Sequence, residues 1–358
     1  MQTESKTICF KGQNIYVGID AHLKNWTLTI LTENAFFKTF SQDPCTMTLK
    51  NYLHRNFPQG TYYSAYEAGF CGFSVHRELV NFGIQNIVVN PADIPITDNE
   101  KRQKEDRRDS KKIARSLRNG ELTAIYVPDK SIEELRGLVR YRKVLVKEIG
   151  RNKNRIKSFL YFNGIAVPVE LNSASKYWSG RFTQWLKTIK MDTGYGNFVL
   201  QETVENTEYS RGKLLKIDRK FRELRKSSLY SKTLGLLQSI PGIGPIVSIT
   251  LLTELGDLKR FSNLDKLCSF VGLIPTTDSS GENEKTGSIT PRAKKPLRNA
   301  LIESAWVAIR HDPALNLVLN ELCKRMKSNE AIIRIAKKLL GRMRYVINNE
   351  TEYVRSIV

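Results

Sequence analysis

Ile15-Tyr16-Val17-Gly18-Ile19-Asp20 is a short apolar, β-branched run that ends on an acid. Such residues fit a pleated, half-buried surface, and the run is too short for a globular helix. It reads as a strand. A second run, Trp26-Thr27-Leu28-Thr29-Ile30-Leu31, follows the turn Ala21 to Asn25. Outward from this pair the chain reads as helix over 46–56, strand from Thr61 to Tyr66, helix from Phe73 to Phe82, and strand from Ile84 to Val89, closed by Asn90-Pro91. The order β-β-α-β-α-β, followed by another helix, predicts a mixed α/β layer fold for the first third.

Acids punctuate these elements. Asp20 ends the first strand and Glu67 ends the strand at 61–66. An acid closing an apolar strand costs burial free energy unless it has a use. Asp106 and Asp109 lie three apart in a segment, 101–118, that reads as a helix carrying nine Lys or Arg and three acids, with Gly120 at its end. That spacing puts both on one helix face. Clustered carboxylates suit a hard divalent cation such as Mg²⁺. Two such ions clamp the attacking and leaving oxygens of a phosphodiester. The alternatives are ion pairs with Arg107, Arg108, Lys111 and Lys112, or simple surface acids.

Composition points the same way. The 358-residue chain is long enough for two or three cored domains and carries 57 Lys and Arg against 36 Asp and Glu, a formal charge of +21. An excess of that size predicts a polyanionic partner. The five cysteines are scattered, with neither zinc spacing nor a disulfide framework. No charged-then-apolar leader is read at the start, and the apolar stretch 240–252 is too short for a bilayer. A cytoplasmic, nucleic-acid-facing protein without membrane contact is the expectation.

A long helix is predicted over 132–162, where Leu138, Leu145, Ile149, Ile156 and Leu160 recur at seven-four-seven-four spacing. Its other faces carry Arg140, Lys147, Arg151 and Arg155 among further basic residues. A second helix is predicted over about 211–229, able to pair with the first as an antiparallel coiled coil. Those basic faces either track a nucleic-acid backbone or are simply solvated. The stretch between them carries loop signals. From about 232 the chain reads as mainly helical. Ile240-Pro241-Gly242-Ile243-Gly244-Pro245 resembles the turn of a helix-hairpin-helix, where Gly242 and Gly244 let backbone amides approach phosphates. Loops are expected at Asp278-Ser279-Ser280-Gly281 and at Gly287-Ser288-Ile289-Thr290, followed by basic Arg292, Lys294 and Lys295. Taken alone, Ser279 and Ser280 read as turn chemistry. A P-loop, a histidine metal motif and a hydrolase nucleophile elbow are all missing from the sequence.

Several of these segments together resemble one family. Val17-Gly18-Ile19-Asp20-Ala21-His22, Tyr66-Glu67-Ala68-Gly69, the helix around Asp106-Arg107-Arg108-Asp109, the 240–245 turn, and Phe270-Val271-Gly272-Leu273-Ile274-Pro275 are similar, in that order, to motifs of the DEDD transposases of the IS110 family of bacterial insertion sequences. The resemblance implies a RuvC-like, RNase H-type domain over 1–125, a coiled coil with an inserted loop region over 126–231, and a transposase domain over 232–358. It implies Mg²⁺ held by Asp20, Glu67, Asp106 and Asp109. It implies a serine nucleophile, Ser280 with Ser279 as the fallback, that forms a covalent link to DNA. It further implies a structured RNA bridging donor and target DNA, and a dimer or tetramer with composite sites. The serine loop departs from the family pattern, since Gly281-Glu282-Asn283 stands where many relatives have Gly-Gly-Lys. Two other readings fit the residues: a RuvC-type nuclease that uses water, and a non-catalytic RNA-binding scaffold.

Overall fold

A computed structural model describes residues 9–95, 106–280, 283–291 and 293–355, and within them every side chain except those of 106–107, 277–280 and 283–286. The chain forms two compact units, residues 1–127 and 128–358.

The first unit is a five-stranded mixed sheet with helices on both faces. Its strands are β1 (Asn14–Ala21), β2 (Trp26–Thr32), β3 (Phe36–Gln42), β4 (Thr61–Glu67) and β5 (Gln85–Val89). Their order is β3-β2-β1-β4-β5. The β1, β2 and β3 neighbours run antiparallel, whereas β4 lies parallel to both β1 and β5. Side chains alternate between sheet faces along a strand. Ile15, Val17 and Ile19 therefore share one face, with Trp26, Leu28 and Ile30 from β2. There they pack against α1 (Thr46–Asn56) and α2 (Ser74–Asn81) through Leu49, Leu53 and Leu79. The opposite face is covered by α3 (Asp106–Arg118), whose Ile113 packs with Ala65, Val89 and Ile94.

Strand β3 was not foreseen. Phe36 and Phe37 are exposed and the rest of the strand is mostly polar, so it lacks the alternation of a half-buried strand. It exists as an edge strand because its backbone pairs with β2.

The second unit is mainly helical. Helix α4 (Lys130–Phe162) carries the expected seam, with Leu145, Ile149, Ile156 and Leu160 buried. Helices α5 (Gly180–Thr188) and α6 (Gly194–Leu224) follow. Early α4 meets late α6 through Leu135, Val139, Ile217 and Phe221, and late α4 meets early α6 through Ile156, Leu160, Leu200 and Val204, so the two are antiparallel. The sequence placed the second helix over 211–229. It begins 17 residues earlier, at Gly194, because Leu200 and Val204 pack under Phe182 and Leu186 of α5. Two glycines and a run of polar residues dilute that stripe in the sequence.

Beyond it come α7 (Ser231–Ser239), α8 (Pro245–Leu255), α9 (Leu264–Val271), a two-stranded hairpin of β6 (Pro275–Ser280) and β7 (Asn283–Ile289), and α10 (Lys295–Ala308), α11 (Pro313–Cys323) and α12 (Ser328–Asn349). Leu234 of α7 and Ile249 of α8 join the Leu135–Phe221 cluster, while α8 through α12 enclose the largest core of the unit. No helix among the described residues is long and apolar enough to cross a membrane.

Candidate active site

Two of the four predicted acids are brought side by side. Strands β1 and β4 run parallel with Ile19 level with Tyr66, so Asp20 and Glu67 follow as the next rung. Ile19 and Tyr66 both point into the core under α1 and α2. By alternation Asp20 and Glu67 point to the other face, the one α3 covers. Each is half-buried. His22 Nε2 lies 3.1 Å from Asp20 Oδ2.

Helix α3 carries the other two. Its register on the sheet is fixed at two places. Ser110 Oγ lies 2.9 Å from Thr29 Oγ1 in a buried hydroxyl contact, and Thr29 in turn lies 2.8 Å from Thr39 Oγ1 across the β2–β3 pair. At Gly18 the helix backbone comes so near the sheet that a Cβ would stand 2.1 Å from Ser110 O and 2.4 Å from Ala114 N. Position 106 lies one turn before Ser110 on the same helical stripe, and half-buried Asp109 lies next to it. All four acid positions thus belong to one face of the sheet. Among the described residues no three His, Cys, Asp or Glu side chains converge closely enough to hold a metal ion, and the side chain of Asp106 lies outside the described set. The donor set itself is all carboxylate oxygen, the chemistry a hard divalent cation takes.

The predicted basic residues separate into several environments. Arg108 is exposed, and Lys111 Nζ sits 5.1 Å from the Phe36 ring centroid. Lys112 is buried at 8% exposure, which removes it from an open basic face. The side chain of Arg107 and the whole of Arg292 lie outside the described residues. Lys147 and Arg151 are exposed on α4. Arg151 and Arg155 line a polar groove of about 490 Å³ with Tyr141, Tyr209 and Lys213 between α4 and α6. Arg140 is not a simple surface cation, because its Nε and Nη2 donate to Glu254 Oε1 and Oε2 at 2.8 and 3.0 Å. Lys295 is exposed at the start of α10.

The two glycines of the 240–245 turn behave differently. Gly242 has φ +84°, and a Cβ there would stand 2.2 Å from Ser304 O. The space a Cβ would need there is taken by the protein's own helix α10. Gly244 stands exposed, with nothing near its Cβ position, as N-cap of α8.

Ser279 and Ser280 are not in a loop. They are the last two residues of β6, with Ser279 opposite Glu284 and Ser280 opposite Asn283. Cross-strand pairing holds a segment whose polar residues alone signal a turn. Likewise Gly287-Ser288-Ile289 belongs to β7, and Gly287 leaves room for Thr276 Oγ1, which a Cβ would meet at 2.3 Å. The feet of the hairpin are clamped. Thr290 N donates to Ile274 O at 3.0 Å. Arg298 Nη1 donates to Thr290 O at 2.7 Å and to Gly272 O at 3.3 Å, tying the residues before β6 to those after β7.

Sequence reasoning passed over Arg298 and Glu254. For Glu254 a signal existed, since it is the one charged residue in the apolar run Ile246 to Leu255. Burial pushes the Glu254 carboxyl up, but hydrogen bonds and charge from Arg140, with the charges of Arg136 and Lys294, outweigh it and hold it below the usual glutamate range.

Two family models match this chain. One, described as the transposase IS116/IS110/IS902 family, covers residues 234–319. The other, a DEDD transposase model of the IS110 type, covers residues 17–163. Among curated proteins, the chain is 31% identical to the candidate transposase y4qE of Sinorhizobium fredii over 71% of this chain and 60% of that protein. It is 27% identical to the transposase for insertion sequence element IS1533 of Leptospira borgpetersenii, over 82% of this chain and 85% of the relative. The candidate transposase y4rJ of S. fredii is 31% identical over 76% of this chain and 74% of its own length. The chain therefore spans less than two thirds of y4qE, but most of the other two.

Proposed function

The chain belongs to the IS116/IS110/IS902 family of transposases, and on that premise we propose that it cuts and rejoins DNA strands at the ends of an insertion sequence. The observation that carries this reading is the level placement of Asp20 and Glu67 on adjacent parallel strands, facing the helix that bears Asp106 and Asp109. The strand order β3-β2-β1-β4-β5, antiparallel on one side of β1 and parallel on the other, supports an RNase H-type, RuvC-like reading of residues 1–125. The α4–α6 hairpin supports a coiled-coil reading of 126–231, and residues 232–358 carry the serine part.

In this reading Asp20, Glu67, Asp106 and Asp109 hold Mg²⁺. When bound, the metal supplies Lewis-acid stabilisation of charge on the phosphate and lowers the pKa of an attacking hydroxyl. Ser280 is the nucleophile, with Ser279 as its alternate. Its oxygen forms a bond to phosphorus as the bond from phosphorus to the departing strand's oxygen breaks, and the serine proton passes through solvent to that oxygen, which leaves as a free sugar hydroxyl. Reversal on a different strand restores a phosphodiester and frees the serine. The bond energy is kept throughout, in line with a sequence that carries no P-loop. The β6–β7 pairing and the Arg298 clamp give the serine a fixed strand rather than a free loop to stand on.

The acids and the serine belong to different compact units. In this reading the working form is a dimer or tetramer. The charge of +21 supports nucleic acid as the partner. A structured RNA that pairs with donor and target DNA would leave sequence choice to base pairing and backbone contact to the protein.

The test is cleavage of labelled element-end DNA with Mg²⁺ by wild type and Asp20→Asn, with circular dichroism as the fold control. The reading expects an intact fold and no cleavage from the variant. Cleavage at the wild-type rate by Asp20→Asn contradicts it.

A further inference from the structure

The groove of about 490 Å³ between α4 and α6 has walls that mix aromatic rings with cations. Tyr141 and Tyr209 stand 43% and 64% exposed there, so neither ring fills a core. Lys213 Nζ lies 4.2 Å from the Tyr209 ring centroid. The Tyr209 hydroxyl pushes the Lys213 ammonium up from the ordinary lysine value, so this group is charged at neutral pH. Arg151 and Arg155 line the same groove, and Arg155 Nη1 donates to Asn152 Oδ1 at 3.1 Å. The ion pairs of this hairpin lie elsewhere, at Arg142–Asp218, Lys187–Glu208 and Lys220–Glu223. Glu148 is the one carboxylate on the walls. Glu205, one turn before Tyr209, is exposed and stands outside them. Three cations thus face one acid.

The track continues. A second cavity of about 660 Å³ shares Arg151 and Arg155 and extends along α4 to Phe162, itself 89% exposed. From Tyr141 to Phe162 the helix axis runs roughly 30 Å. That length suits several linked units better than one small molecule. Rings set among cations fit a single strand of nucleic acid, whose bases stack on the rings while its phosphates are neutralised. A duplex keeps its bases stacked inside and leaves such rings unused. Another feature selects the sugar. Ser210 lines the groove at 8% exposure, and its hydroxyl has no hydrogen-bond partner among the described residues. The side chain of Asn206, one turn earlier on the same wall, has none either. Buried polar groups are ordinarily paired. Both side chains donate and accept, and so does the ribose 2′-hydroxyl that DNA lacks.

We propose that the α4–α6 groove binds an unpaired stretch of RNA, with bases stacked on Tyr209 and Tyr141, phosphates on Arg151, Arg155 and Lys213, and a ribose hydroxyl at Ser210 and Asn206. The inference rests on the reading that an RNA works with this chain, and it gives an unpaired segment of that RNA a defined seat. Lys213 covers part of the Tyr209 ring and leaves the rest open to a base. Stacking makes the seat tolerant of sequence, because every base has a π-face. Discrimination falls on strandedness and on the sugar.

The full-length protein is titrated by anisotropy with three fluorescent probes: an unstructured RNA of about 12 nucleotides, a DNA of the same sequence, and a duplex RNA. Wild type is expected to bind the single-stranded RNA more tightly than the DNA. Tyr209→Ala should weaken single-stranded RNA binding by about 5- to 100-fold, the loss of one base stack. Tyr209→Phe, which keeps the ring, should stay near wild type, and duplex RNA binding should not change in either variant. Replacing Arg151 and Arg155 together by Gln should make the salt slope shallower by about 1.4, the contribution of two single-strand phosphate contacts. Ser210→Ala should narrow the preference for RNA over DNA. The same RNA carrying 4-thiouridine should crosslink to the peptide that holds Tyr209. Unchanged single-stranded RNA affinity in Tyr209→Ala, with no crosslink to α6, overturns the site while RNA binding stands. An equal loss of duplex binding in Tyr209→Ala overturns the stacking role. Equal wild-type affinity for the DNA overturns the assignment to RNA. No binding of either RNA by wild type overturns the underlying reading and the site with it.

Discussion

Replacing Gly18 by alanine adds one methyl group to the middle of β1, and the structure leaves it nowhere to go. The new Cβ would stand 2.1 Å from Ser110 O, 2.4 Å from Ala114 N and 2.9 Å from Ala114 Cβ. Optimal separation of such atoms starts near 3.5 Å, so α3 must lift by about 1.4 Å. The two nearest atoms are backbone and cannot rotate aside. Overpacking typically costs about 1–3 kcal/mol, and this case belongs at about 3. For a unit of this size that lowers its melting temperature by about 10 °C. The lift also strains the Ser110–Thr29 contact and moves the helix of Asp106 and Asp109 off the face that holds Asp20 and Glu67. Differential scanning fluorimetry reads the first effect and Mg²⁺-dependent cleavage the second. Gly137→Ala is the control, since that helical glycine has nothing near its Cβ position, and it should stabilise by about 0.5–1 kcal/mol. A Gly18→Ala protein that melts within about 2 °C of wild type refutes the close packing of α3 on β1.

Two further outcomes follow from the second unit. Glu254→Gln deprives Arg136 and Arg140 of their carboxylate and should cost about 2 kcal/mol, less than a fully buried pair because Arg140 is largely in solvent. The folded value of Glu254 lies below its unfolded one, so its contribution is present above the ordinary glutamate range and is lost as pH falls through the folded value. Denaturant unfolding at neutral and acidic pH should show the gap between wild type and variant closing in acid. Arg298→Lys keeps the charge but cannot reproduce a guanidinium bridging Thr290 O and Gly272 O. Misplacing the serine strand by about 1 Å should lower covalent DNA capture by about 100-fold with DNA affinity preserved; an equal loss of both would point to general misfolding instead.

Much of the first unit was legible because its central strands are buried. β1, β2, β4 and β5 announce themselves as apolar, β-branched runs, and Asp20 and Glu67 stand out as the acids that end two of them. What the sequence could not convey was that β1 and β4 are parallel neighbours one rung from those acids, since register arises from pairing across the helix between them. Strand β3 escaped because an edge strand needs only backbone partners. The same reason hid β6 and β7, where Asp278-Ser279-Ser280 and Gly287-Ser288 carry turn-forming side chains on a paired ladder. At Gly242 only the fold reveals that Ser304 of α10 occupies the space a Cβ would need. The Glu254 cluster joins residues more than a hundred positions apart, a proximity that local pattern does not encode.

The most direct test of the central claim is a denaturing gel of purified protein, labelled donor DNA, RNA transcribed from the element's flank, and Mg²⁺. The account predicts a shifted, protease-sensitive band that disappears with Ser280→Ala and with Asp20→Asn, reporting a serine–DNA link that depends on the acidic face. Free cleaved ends that persist in Ser280→Ala and Ser279→Ala alike would contradict it, leaving a metal-dependent nuclease that uses water.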